Sequence, residues 1–146
     1  MIRTVLVATT FAVGISVALA AGADAIKDRK AIMKRNGDEA KIGASFMKGE
    51  APFDLAKAKA IFAAYANAAE KMPALFPDDS KTGGDTEALP VIWEKKDDFN
   101  AKFAKFGTDA KDAQAKVIDE ASFKAIFPTV QKNCGGCHET FRKKKS

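Results

Sequence analysis

The stretch Phe123-Lys124-Ala125-Ile126-Phe127-Pro128-Thr129-Val130-Gln131-Lys132-Asn133-Cys134-Gly135-Gly136-Cys137-His138-Glu139-Thr140-Phe141 lies near the C-terminus of a 146-residue chain. On a 3.6-residue period, Phe123, Val130 and Cys137 form one row, and Phe127, Cys134 and Phe141 form the next. Both cysteines therefore fall on the face that the phenylalanines bury, and His138, four residues after Cys134, lies on the same side. Asp119 or Glu120 is predicted to open this helix. Pro128 cannot donate to the carbonyl of Lys124 and is predicted to kink it.

Within this helix, Cys134-Gly135-Gly136-Cys137-His138 has the spacing that lets two thiols add across the vinyl groups of a haem while the imidazole reaches the iron from one face. A zinc site needs further ligands and a redox dithiol expects a βαβ context. Cys134 and Cys137 are the only cysteines and His138 the only histidine. The pentad thus reads as the attachment site of one covalently bound haem c. With a single histidine, the sixth iron position falls to a methionine, another side chain, a small molecule or nothing. Apart from Met1, the methionines are Met33, Met47 and Met72.

The opposite end carries a different signal. Arg3 precedes an apolar run from Val5 to Ala21, interrupted only by Thr, Gly and Ser, and small residues follow. Residues 1–23 are read as a secretory signal peptide cleaved after Ala20 or Ala23. The run is short for a retained membrane anchor, which takes about 20 apolar residues, so no stable membrane insertion is expected after cleavage. Export to a bacterial periplasm suits haem attachment. Removing Arg3 with the leader leaves 23 basic against 19 acidic side chains, a net charge near +4. The basic end Arg142-Lys143-Lys144-Lys145 reads as a solvated helix tail favoured by the helix dipole or as a docking patch for an acidic redox partner. No nucleic-acid motif is present.

Residues 24–146 show no strand pattern but four stretches of helical period. In the first, Ile26, Met33, Ala40 and Met47 recur every seven residues, and Asn36, Gly37, Gly43 and Ala44 thin the adjacent row. It is predicted to stop at Gly49 and Pro52. Asp54 is the predicted N-cap of the second, which sets Leu55, Phe62 and Ala69 beside Ala58, Tyr65 and Met72 and ends at Pro73. Residues 73–90, with three prolines and two glycines, form one long connection of the kind that often serves function. The third helix is predicted to start near Val91 and to carry Ile92, Phe99, Phe106 and Ala113 beside Phe103, Ala110 and Val117. Gly107 weakens it without ending it. The expected architecture is all-α, an antiparallel four-helix bundle with the haem inside.

The chain resembles a class II cytochrome c, the family of cytochrome c′ and its low-spin relatives. The resemblance rests on the pentad close to the C-terminus, on Thr140-Phe141-Arg142 after the histidine, and on Arg29 four residues before Met33. The Gly83-Gly84-Asp85 turn and the Pro90-Val91-Ile92-Trp93 start of the third helix match family segments as well. It implies that Cys134 and Cys137 hold the haem and that His138 is the proximal ligand. Arg142 would shield the proximal imidazole, Arg29 would pair with a haem propionate, and Asp85 would lie near the haem edge. Trp93 is expected to be a packing residue.

Met33 matches the family position that faces the distal side of the iron. High-spin cytochromes c′ leave the iron five-coordinate and open to nitric oxide or carbon monoxide, whereas low-spin relatives use a methionine there. Met33-Lys34-Arg35-Asn36-Gly37 and Pro73-Ala74-Leu75-Phe76-Pro77 look more like the low-spin relatives. The expectation is a periplasmic one-electron carrier with redox partner proteins and His138 and Met33 as axial ligands. A gas-binding five-coordinate protein is the alternative. Family members are often dimers, so a homodimer is possible. No catalytic triad or paired carboxylates mark an enzyme.

Overall fold

A computed structural model describes residues 14–144, with side chains from Gly22 onward. The N-terminal part of the expected leader, including Arg3, and Lys145 of the basic tail lie outside the described residues. Five helices follow in order: α1 (Gly14–Lys48), α2 (Leu55–Lys71), α3 (Val91–Glu94), α4 (Lys96–Lys116) and α5 (Glu120–Phe141). The long members α1, α2, α4 and α5 make an antiparallel four-helix bundle, with α2 packed most extensively on α4.

Local chemistry sets the helix ends. Gly49 adopts φ +72° just after Lys48, a left-handed backbone that stops α1. The Asp54 carboxylate accepts from the Lys57 backbone N–H at 3.0 Å and opens α2. At α5, Asp119 accepts from the Ser122 N–H at 2.8 Å while the Ser122 hydroxyl takes the Asp119 N–H at 3.0 Å, a reciprocal capping box. α4 passes through Gly107, and α5 continues through Pro128.

Three details depart from the sequence reading. The third helix is broken: Val91–Glu94 is a single turn, Lys95 takes φ −121° and ψ 51°, and a new helix starts at Lys96. Leu55, expected on an inner row, is exposed because it sits in the first turn of α2, before that helix reaches the core. The 73–90 connection is also less irregular than its prolines suggest, since Met72–Leu75 and Asp78–Ser80 form 3-10 turns.

The core is aromatic at both ends. Phe46, Phe53, Phe62, Phe123 and Phe127 cluster between α1, α2 and α5, with Phe123 and Phe127 stacked at 4.9 Å. Phe76, Phe99, Phe103 and Phe141 form a second group, with Phe99 edge-on to Phe76 at 4.6 Å and to Phe141 at 5.2 Å. Each fully buried ring contributes about 1.5–3 kcal/mol from water exclusion. Gly43 lets α1 approach α5, because a Cβ there would overlap the Phe127 ring. Beside the second aromatic group the bundle does not close.

Candidate haem site

A cavity of about 510 Å³ opens between α1, α4, α5 and the 85–88 segment. This is within the usual size of a ligand site. From α5 it is lined by Gln131, Cys134, Cys137, His138, Phe141 and Arg142, and from α1 by Arg29, Met33 and Asn36. Phe99, Phe103 and Phe106 of α4, with Ile92, Met72 and Phe76, complete an apolar wall. Every residue expected at the haem therefore borders one space, including Asp85 at its rim.

The reacting groups of the pentad sit half-buried on α5. Burial pushes both thiols above the ordinary cysteine value, and at Cys137 the charge of Lys102 partly opposes this. Burial, then the positive Arg142, pulls His138 below the usual histidine range. Both favour the neutral imidazole, the form that binds a metal. The Cys134 thiol donates to Gln131 Oε1 at 3.4 Å, and Gln131 Nε2 donates to the hydroxyl of buried Tyr65 at 2.8 Å. Burial also raises the Tyr65 pKa strongly. Among the described residues no three His, Cys, Asp or Glu side chains group as a metal site.

Arg29 is the most informative polar residue. Its side chain is only 4% exposed, yet none of its ion-pair distances reaches a carboxylate among the described residues. All its hydrogen bonds go to neutral oxygens: Nη1 donates to Leu75 O and Ser80 Oγ, and Nη2 to Ser80 O and Thr86 Oγ1. Its guanidinium also lies 4.6 Å from the Phe76 ring centroid. A buried cation without a counter-charge is costly, and this one borders the cavity. Arg142 Nε, in contrast, is buried without a hydrogen-bond partner, 3.9 Å from Glu87.

The chain's two ends of the cavity are tied together. Leu89 N–H donates to Phe141 O at 3.0 Å and Lys143 N–H to Glu87 O at 2.8 Å, making an antiparallel bridge between Ala88 and Arg142. Asp85 is nearly fully exposed, 3.8 Å from Lys30. Trp93 donates from Nε1 to Phe76 O and Pro77 O, and its ring lies tilted against Phe76 at 5.9 Å. Met33 is partly buried against the core. Met72, fully buried, also reaches the cavity, which the sequence reading did not foresee, whereas Met47 does not line it.

Two thiols and an imidazole on one helix, apolar walls and an uncompensated buried cation fit a haem with its propionates. These features define a c-type haem protein on a helical bundle. The chain belongs to the cytochrome c′ family, whose model matches residues 24–142, and its cofactor is covalently attached haem c. It is 52% identical over 123 residues to a cytochrome c′ of Rhodopseudomonas palustris, covering 84% of each chain. To a cytochrome c-556 of Agrobacterium fabrum it is 40% identical over 121 residues, 82% of each. The solved structure of cytochrome c′ from Rhodopseudomonas palustris superposes with a TM-score of 0.82 at 52% identity, over 84% of this chain and 98% of that one. Among the described residues no helix is long and apolar enough to cross a membrane.

Proposed function

We propose that this protein is a periplasmic one-electron carrier in which His138 and Met33 are the axial ligands. A bound haem supplies reversible one-electron chemistry at its iron. Cys134 and Cys137 would hold it by thioethers, and His138 would coordinate from α5. Met33 would present its thioether from α1, on the other wall of the same cavity. That common lining of one space by Met33 and His138 is the observation supporting the reading. Arg29 would offset the charge of a propionate, a charge-assisted pairing that suits a guanidinium. Arg142 would cover the imidazole, and Asp85 would stay at the rim.

Export follows the leader reading of residues 1–23 and goes with a redox partner protein met outside the cytoplasm. A second reading is a five-coordinate iron that binds nitric oxide or carbon monoxide. The relative at 52% identity favours it, because it carries the cytochrome c′ name rather than the c-556 one.

The deciding experiment is the optical spectrum of the purified haem protein, oxidised and then reduced with and without carbon monoxide. Met33 ligation gives sharp low-spin bands, a weak long-wavelength sulfur-to-iron band and no response to carbon monoxide, and Met33→Ala loses that band. A broad high-spin spectrum that shifts under carbon monoxide assigns the protein to gas binding instead.

A further inference from the structure

The cavity face of α1 is formed by Arg29, Met33, Asn36 and Ala40, spaced four, three and four residues apart, so that they stack as one inner row. Asn36 is the one neutral polar side chain on that row, one turn beyond Met33. Its Oδ1 is buried and has no hydrogen-bond partner. A buried amide atom left without a partner is costly and points to a group it is meant to meet. The oxygen and nitrogen of a carboxamide exchange places by a half-turn of the side chain, so the same position can present an N–H donor.

We propose that the Asn36 carboxamide donates a hydrogen bond to the Met33 thioether on the distal side of the haem. A thioether sulfur is a weak acceptor, but it is the neighbouring acceptor one turn away on the row. The bond fixes the orientation of the Met33 side chain and draws electron density from its sulfur. A less electron-rich axial sulfur favours the reduced iron, the means by which hydrogen bonds around a metal ligand tune its potential. Asn36 is thus a positioning residue that acts through Met33. This rests on the Met33 reading above.

The test uses the haem-loaded protein and follows two signals, the sulfur-to-iron band and the reduction potential from a redox titration. Asn36→Leu, close to the natural shape, keeps the band and shifts the one-electron equilibrium about fivefold toward the oxidised form, roughly 40 mV at 59 mV per tenfold. Asn36→Ala shifts it in the same direction, so the result does not depend on one variant folding. In a Met33→Ala background the Asn36→Leu shift disappears. A band that persists with unchanged potentials in both variants overturns the Asn36 role alone. So does a shift that survives in Met33→Ala. A wild-type protein without the band overturns the Met33 ligation and this inference together.

Discussion

Arg29 shows how one side chain can serve both fold and site. Its two Nη groups hold Leu75, Ser80 and Thr86 against α1, so the segment that roofs the cavity hangs from this guanidinium. Arg29→Met removes the donors to the Leu75 and Ser80 carbonyls and is expected to destabilise the haem-loaded protein by about 2–4 kcal/mol in urea unfolding. Arg29→Lys recovers less than half of that, since an ammonium cannot reproduce the planar fork. Lys30→Ala, one residue on and half-exposed, is expected to stay within about 0.5 kcal/mol. Equal effects at the two positions would contradict the clamp. The pentad was legible in the sequence because spacing alone encodes its chemistry. Arg29 was visible only as a resemblance, since partners 46 to 57 residues away leave no local trace.

Among the elements, α1 and α5 meet through one close approach. Gly43 faces the Phe127 ring with no room for a methyl. Gly43→Ala is expected to cost about 1–3 kcal/mol by overpacking, despite its better helix propensity. Phe127→Leu in the same chain should return part of that loss, and a double-mutant cycle on urea midpoints measures the coupling. Additive effects would show that the helices do not meet through this pair. The helix periods were readable because Phe and Ala recur at inner positions. The break at Lys95 was not, because Pro90-Val91-Ile92-Trp93 and Phe99 share one apolar period across it. Leu55 misled for a related reason: periodicity gives the face of a helix but not how far the core extends toward its end.

For the molecule as a whole, charge is placed where an electron would leave. Lys102 lines the cavity close enough to bias Cys137, and Lys30 and Lys34 of α1 line it too. Lys102 appears in no ion pair among the described residues. With a net charge near +4 once Arg3 is removed with the leader, this face should draw anionic reactants. Electron exchange between the haem-loaded protein and ferricyanide is expected to slow as salt is added. Lys102→Glu with Lys34→Glu should slow it several-fold at low salt and converge with wild type at high salt, as screening removes the long-range attraction. A rate indifferent to salt and to both reversals would show that encounter is not guided by this surface.

The bridge between Ala88 and Arg142 also sets an order of events in the making of the protein. Synthesis runs from the N-terminus, so α1 to α4 are complete before the pentad, and Arg142 and Lys143 follow it. The strap therefore cannot shut until both thiols and the imidazole have emerged. A chain cut short before Arg142 would carry every attachment group with nothing to latch the chamber.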